Sequence, residues 1–165
     1  MAKIYISIGS NIDAKKNIRL AVSALQAHYG KLILSSVYES VAVGFDGENF
    51  LNLVAAVNTE EEVFAVADNL RKIEDENGRT RNGPRFSSRT VDLDLLLYDD
   101  LILDNESLEL PRDEITKNAF VLLPLEEIAP QLIHPVSGKT MCDHWCDFDK
   151  DSQKIWPVDF NFELN

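Results

Sequence analysis

The order of strand-like and helix-like segments is the feature that most limits how this chain can fold. Residues 3–10, KIYISIGS, form an apolar run with β-branched side chains that ends in a Gly-Ser-Asn turn, which predicts a buried strand. Apolar residues then recur at helical spacing towards a candidate C-cap at Gly30, and these are Ile18, Ala21, Val22, Leu25 and Tyr29. The chain is therefore expected to open with a strand and a helix.

The following segments continue this alternation. Residues 32–43 and 49–58 are rich in β-branched and aromatic residues, and the connection GFDGE between them predicts two strands joined by a loop. Thr59 and Glu62 form a capping-box pattern ahead of a helix that should end near Asn77 and Gly78, with apolar positions at Val63, Val66, Leu70 and Ile73. A further strand after residue 90 completes the order βαββαβ. This order predicts a ferredoxin-like α+β sandwich with its helices on one face of the sheet.

Patterns after Tyr98 are weaker. Residues 99–115 predict a short hairpin and a loop, and residues 118–130, NAFVLLPLEEIAP, predict a helix that is cut at Pro124. A chain of 165 residues with 45% hydrophobic residues suits one core. We therefore expect a single domain over residues 1–165, with extra C-terminal elements.

Composition argues against several classes of protein. The two cysteines are too few for a disulfide framework, and no N-terminal apolar segment suits a signal peptide or membrane span, so we expect a cytoplasmic protein. A net charge of −12 disfavours binding to nucleic acid or to an anionic membrane. Residues 77–90 are the local exception, because they carry no acid and four arginines, which are Arg79, Arg81, Arg85 and Arg89. We expect a cationic loop there.

Asp92 and Asp94 stand two residues apart in the strand that follows this loop. Residues i and i+2 share a strand face, so both carboxylates should point one way and the apolar neighbours the other, namely Val91, Leu93, Leu95 and Leu97. Such carboxylates, about 6.5 Å apart along the strand, can converge on two cations ~4 Å apart, as in two-metal phosphoryl transfer. Oxygen ligands favour Mg²⁺, with further ligands from a triphosphate, and the arginines suit phosphate binding. The alternative is the solvated face of an edge strand.

Several separated motifs resemble one known family. They are KIEDENGRTRNGPRFSSRTVDLDLLLY at residues 72–98, together with YISIGSN, FLN and NAFVLLPLEEIAP. In this order, over residues 4–130, they resemble 6-hydroxymethyl-7,8-dihydropterin pyrophosphokinases. The resemblance implies a ferredoxin-like fold. It also implies transfer of diphosphate from ATP to the pterin's hydroxymethyl group, with release of AMP, in folate biosynthesis.

The resemblance further implies roles for individual residues. Asp92 and Asp94 would hold two Mg²⁺ ions and would act in catalysis with Arg79 and Arg89. ATP would be contacted from four parts of the chain, by Arg71, Glu74, Arg81, Arg85, Leu95, Arg112 and Lys117. The pterin would be bound by two stacked rings, one amide and neighbouring backbone groups, which belong to Phe50, Phe120, Asn52, Ser40, Val41 and Val43. The expected partners are these two small substrates.

Three positions depart from the family's pattern. Arg112 stands where the family typically has histidine, Asn118 where it has arginine, and Ser87 where it has glycine or alanine. These differences leave two other interpretations open. One is a paralogue that binds pterin or nucleotide with little or no turnover, and the other is a metal-dependent nucleotidyl transferase on the same kind of sheet.

Other candidate residues have ordinary explanations. Phe50 and Phe120, without the resemblance, would be interpreted as core residues, whereas Asn52 within an apolar strand is an independent sign of a polar ligand. The CDHWC stretch, residues 142–146, lacks a second pair of ligands, so zinc is not favoured there.

Overall fold

The computed structural model describes residues 1–41, 49–76 and 91–162. Over these ranges the helices and strands, in chain order, are β1 Ala2–Ser10, α1 Ala14–Tyr29, β2 Ile33–Leu34, β3 Val37–Ser40, β4 Phe50–Thr59, α2 Val63–Glu76, β5 Asp92–Tyr98, β6 Leu103–Asp104, β7 Glu109–Leu110, α3 Glu114–Lys117, α4 Ala119–Ile128, α5 Met141–Asp147 and β8 Ile155–Val158. The predicted order βαββαβ is confirmed by β1, α1, β3, β4, α2 and β5. In the described part of the chain, no helix is both long and apolar enough to cross a membrane.

The main sheet has six strands within these ranges. Strands β5, β1, β4, β3 and β8 lie side by side in that order, and the short strand β2 also pairs with β4. Strand β1 is antiparallel to both of its neighbours, β4 and β5. This is the arrangement of a ferredoxin-like sheet, extended beyond β3 by the C-terminal strand β8. The α+β prediction is therefore confirmed, and β8 is an element that the sequence patterns did not show.

Helices cover both faces of this sheet. Helices α1 and α2 pack on one face against side chains that include Ile4, Ile6 and Ile8, as predicted. Helices α4 and α5 pack on the opposite face against Tyr5 and Val54. All residues of β1 but one are buried, which is the pattern of a strand covered on both faces. The prediction of helices on one face therefore holds for α1 and α2 only, because the C-terminal helices form a second layer.

Strand β5 departs from regular alternation near its end. The pairing with β1 shifts between Tyr5 and Ile6, whose partners are Leu97 and Leu95, so Leu96 is inserted as a bulge. Leu93 and Leu95 face α1 and α2 as predicted, together with Val91. Leu97 packs instead beside Tyr5 on the opposite face, so its predicted orientation was wrong. One inserted residue reverses the orientation of every side chain after it.

The ends of the first two helices form by different means. The backbone N–H of Gly30 donates to Gln26 at the end of α1, with a positive φ of 89°, so this C-cap is confirmed. The predicted capping box of α2 was wrong, because Thr59 still belongs to β4. The carboxylate of Glu62 itself accepts a 2.8 Å hydrogen bond from the N–H of Ala65 and caps α2. Asn77 and Gly78, where α2 was expected to end, lie outside the described residues.

The C-terminal segment contains one confirmed and one wrong prediction. Strands β6 and β7 pair antiparallel and form the expected hairpin. Helix α4 continues through Pro124, although the sequence predicted an interruption there. Proline offers no N–H to the carbonyl of Phe120 one turn earlier. Burial of Val121, Leu122 and Leu125 against the sheet offsets this local loss.

Candidate active site

Asp92 and Asp94 lie on one face of the edge strand β5. Their partners on β1 are Gly9 and Ser7, and this face is the one covered by α4 and α5. Both carboxylates are half-exposed, whereas Leu93 between them is buried on the other face. The structure thus places the two acids as their spacing predicted, next to solvent and above a buried sheet.

Glu74 of α2 holds the backbone between these two acids. Its Oε2 accepts a 2.8 Å hydrogen bond from the N–H of Leu93. Glu74 is only 6% exposed, which is unusual for a carboxylate and requires hydrogen-bond partners. Sequence reasoning assigned Glu74 to ATP and missed this contact. Glu74 follows the buried Leu70 by four residues, so it lies on the buried side of α2. This spacing could have indicated a structural contact.

Arg112 lies between two carboxylates at this edge of the sheet. Its Nη2 is 3.6 Å from Oδ1 of Asp94 and 2.9 Å from Oε1 of Glu114. The amide of Asn118 donates to the other oxygen of Glu114 at 3.2 Å. Burial opposes the charged form of Arg112, but the two carboxylates outweigh it and raise the pKa of the guanidinium. Glu114, which connects two of the three positions that depart from the family's pattern, was missed in the sequence.

Asn52 of β4 is a buried amide on the same face as the acids. It pairs with Gly9 in the sheet, and its Nδ2 donates a 3.2 Å hydrogen bond to Oγ of Ser40. A Cβ at position 9 would stand 2.6 Å from Oδ1 of Asn52, closer than any real contact. Only glycine therefore leaves room on β1 for this amide.

A cavity of about 340 Å³ adjoins Asn52 through Ser40. Its lining comes from β3, the start of α4 and the C-terminal segment, and consists of Ser40, Val41, Ala119, Phe120, Ser152, Gln153, Lys154 and Ile155. Three of these residues were predicted to bind a pterin, and Phe50 pairs with Ser40 in the sheet. Sequence reasoning missed residues 152–155, because nothing local indicates that they return to β3.

Other predicted site residues do not join this group. Arg71 is exposed on α2, beyond the opposite face of the sheet. The side chain of Leu95 is buried in the core beneath α1 and α2. Lys117 is exposed and its Nζ binds Asp113 at 2.9 Å. The remaining predicted site residues, with Ser87, lie outside the described residues: Val43, Arg79, Arg81, Arg85 and Arg89. All of their proposed roles stay predictions.

Potential metal ligands are not clustered in the described ranges. Over residues 1–41, 49–76 and 91–162, no three His, Cys, Asp or Glu residues are grouped to hold a metal ion. In the CDHWC stretch, Nε2 of His144 lies 2.7 Å from Oγ of Ser137 instead. Asp92 and Asp94 would therefore need phosphate or water oxygens to complete the coordination of a cation.

Fold and site together define the class of this protein. It is a ferredoxin-like α+β protein that carries an acid pair, a buried amide and a cavity on one side of its sheet. The family model for 7,8-dihydro-6-hydroxymethylpterin-pyrophosphokinase (HPPK) matches residues 5–130. The chain belongs to this family.

Similar proteins agree with this membership. A 2-amino-4-hydroxy-6-hydroxymethyldihydropteridine pyrophosphokinase from Haemophilus influenzae is 36% identical over 141 residues, which cover 83% of this chain and 88% of that protein. The protein of the same name from Bacillus subtilis is 33% identical over 156 residues, covering 92% and 89% respectively.

The fold is also found in solved structures. A crystal structure of wild-type Plasmodium falciparum HPPK-DHPS with pterin and p-hydroxybenzoate aligns with a TM-score of 0.71 at 15% identity. The alignment covers 88% of this chain and 43% of that one, so this chain spans less than half of its length. At this identity the likeness supports the fold alone.

Proposed function

We propose that this chain transfers diphosphate from ATP to the hydroxymethyl group of 6-hydroxymethyl-7,8-dihydropterin and releases AMP, a step of folate biosynthesis. The observation that carries the proposal is one row of residues across three strands, in which Asp92 pairs with Gly9 and Gly9 with Asn52. Two strand spacings separate the acid from the amide by about 10 Å. Asp92 and Asn52 are therefore close enough for ATP and the pterin to be bound side by side.

The pterin end of this row combines an amide with an aromatic wall. Asn52 offers both a donor and an acceptor, which match the polar edge of a pterin ring. Phe120 is half-buried in the cavity wall and supplies a ring for stacking, with Phe50 as the second ring. A cavity of about 340 Å³ lies within the range of small-molecule sites.

The acid pair at the other end of this row suits Mg²⁺ bound to the triphosphate of ATP. Asp92 and Asp94 supply oxygen ligands only, are open to solvent and share one face, so we propose that they hold two Mg²⁺ ions. Bound there, Mg²⁺ would withdraw charge from the attacked β-phosphorus and the departing AMP. Arg112 adds a permanent positive charge 3.6 Å from Asp94. We also propose a cytoplasmic location, which the two free thiols support.

The protein's part in the reaction is mainly to position the reactants. The amide of Asn52 and the ring of Phe120 orient the pterin so that its hydroxymethyl oxygen faces the β-phosphorus. A new bond forms between these atoms as the hydroxymethyl group loses its proton, and the bond from the β-phosphorus to the α-phosphate oxygen breaks. Alignment of two bound reactants in this way supplies much of the rate in phosphoryl transfer.

Product analysis tests this proposal directly. The chain is incubated with ATP, Mg²⁺ and the dihydropterin, and nucleotides and pterins are separated by chromatography. AMP and diphosphorylated pterin in equal amounts are expected, and neither should form with the double variant Asp92→Asn, Asp94→Asn. Release of ADP or of free pyrophosphate would contradict the proposal.

Binding without turnover is the second candidate function. The observation that favours it is the pairing of Arg112 with Glu114, which partly neutralises a cation expected to contact the triphosphate. Pterin or ATP binding measured by calorimetry, without AMP formation over hours, would select this function over transfer.

A further inference from the structure

The C-terminal segment contributes a glutamine to the start of α4. Nε2 of Gln153 donates a 2.8 Å hydrogen bond to the carbonyl of Lys117. Its Oε1 accepts a 2.7 Å hydrogen bond from the N–H of Ala119. One side chain thus binds the backbone on both sides of Asn118.

This contact replaces a local helix cap. Asn118 is the N-cap of α4, yet its side chain makes no capping hydrogen bond and donates to Glu114 instead. The first N–H groups of a helix have no partner within the helix, and that of Ala119 belongs to a buried residue. Gln153 satisfies this N–H from a position 34 residues further along the chain. The cap of α4 is therefore a tertiary contact.

The same segment forms a wall of the cavity beside Asn52. The cavity is lined by this segment together with Ser40 and Phe120, and the segment contributes Ser152, Gln153, Lys154 and Ile155. Ile155 pairs with Ser40 in the sheet, so the segment is anchored to the pterin side of β3 as well as to α4. Phe120 directly follows the residue that Gln153 holds.

We infer that Gln153 is a positioning residue for the pterin substrate and that residues 152–155 form one wall of the pterin pocket. The inference rests on the proposed function and adds a segment beyond residues 5–130, which the family model matches. Gln153 fixes the first turn of α4 and thereby holds Phe120 in the cavity wall. The acids lie on β5 at the other edge of the described sheet, so loss of this wall should affect ATP binding less than pterin binding.

Gln153→Leu tests the inference, because leucine keeps most of the volume and removes both hydrogen bonds. Fluorescence titration with 6-hydroxymethylpterin should show about tenfold weaker binding, because Phe120 is no longer held in the cavity wall, with a smaller change in the KM for ATP. Gln153→Glu keeps an acceptor for Ala119 and should recover part of the affinity. The matched control is Gln131→Leu, at an exposed glutamine that does not line the cavity. Unchanged pterin affinity, or equal losses for pterin and ATP, would overturn the inference.

A second variant covers the case in which Gln153→Leu does not fold. Ser152→Trp leaves both hydrogen bonds of Gln153 in place and fills the cavity from an exposed position. It should weaken pterin binding at least about tenfold without changing the KM for ATP, and normal pterin binding would show that this segment is not a wall. Failure of the proposed function has a different result, since the unmodified chain would then form no AMP with ATP and the dihydropterin.

Discussion

The carboxylate of Glu74 accepts a 2.8 Å hydrogen bond from the backbone N–H of Leu93, so helix α2 is bonded to strand β5 between Asp92 and Asp94. Over residues 1–41, 49–76 and 91–162, strand β5 is an edge of the sheet, and its outward N–H groups have no neighbouring strand to pair with. Glu74 supplies the missing acceptor at the one residue that separates the two acids. Glu74 thereby holds the edge strand from the face of the sheet opposite the two acids.

Replacing Glu74 with leucine should affect both stability and turnover. The N–H of Leu93 would lose its buried acceptor, at a cost of about 1–3 kcal/mol in the free energy of unfolding. Movement of the acids should lower turnover by roughly tenfold or more. Denaturant unfolding and initial rates measure the two effects. Glu74→Gln keeps an acceptor and should retain most of the stability, and the exposed Asp68→Leu on the same helix is the control. Equal damage from glutamine and leucine would contradict this explanation.

Replacing Asp92 or Asp94 with asparagine should separate activity from stability. Each variant loses a charged oxygen ligand, so we expect turnover to fall by about 10²-fold or more. Because the Asp94 side chain is 35% exposed and its ion pair with Arg112 is screened, the free energy of unfolding should change by less than about 1 kcal/mol. Asp104→Asn on β6 is a control for loss of a surface carboxylate. Near-normal rates in Asp94→Asn would rule out its role as a metal ligand.

Gly9→Ala should disturb the pterin site from the neighbouring strand. The added Cβ would stand 2.6 Å from Oδ1 of Asn52, so the amide must move. We expect a loss of about 1–3 kcal/mol in stability and weaker pterin binding. A double-mutant cycle with Asn52→Ala provides the control, because removal of the amide should relieve the added cost at position 9. Additive effects on stability would show that the two residues do not clash.

Restoring the family's residues in the segment after β7 should strengthen nucleotide binding. Asn118→Arg adds a guanidinium that can bind phosphate through two parallel hydrogen bonds, which an amide cannot do. Alone or with Arg112→His, we expect ATP affinity or turnover to rise by roughly three- to tenfold. Lys117→Ala is the comparison variant, because it removes a nearby positive charge from the exposed ion pair with Asp113. Unchanged or lower values in both reverted variants would mean that this segment contacts ATP differently.

His134 should make the protein less stable in acid. Its Nδ1 accepts hydrogen bonds from the N–H groups of Val136 and Ser137, which requires an unprotonated ring nitrogen. Burial, and then the nearby His144, lower the pKa of His134 below the usual 6.5. On acidification the unfolded chain takes the proton first, so this stability is complete above about pH 6.5 and is lost as the pH falls through the folded-state pKa.

The measurement is the free energy of unfolding between pH 7.5 and about pH 5. His134→Gln should show a smaller decrease than the unmodified chain over this interval. His28→Gln is the control, because His28 is exposed and contacts the side chain of Glu61 instead of backbone N–H groups. An unchanged pH dependence in His134→Gln would assign the decrease to other groups.

Local patterns were sufficient for the order of elements and for the acid pair. Strand and helix periods depend on nearest neighbours along the chain, so β1, α1, β4 and α2 were predictable, as was the common face of Asp92 and Asp94. The hairpin of β6 and β7 and the C-cap at Gly30 were predictable for the same reason. The family resemblance added the grouping of Asn52 and Phe120 with these acids.

Contacts between distant parts of the chain decided the rest. The bulge at Leu96 depends on pairing with β1, Glu74 binds a strand that follows it by 19 residues, and Gln153 caps a helix 34 residues before it. Helix α4 passes through Pro124 because burial on the sheet offsets the missing N–H. The contacts of Glu74 and Gln153 satisfy backbone N–H groups that have no partner within their own segment. These contacts, like the burial that offsets the hydrogen bond missing at Pro124, form only when the sheet has assembled. Sequence spacing shows which groups need partners, and tertiary structure determines which side chains supply them.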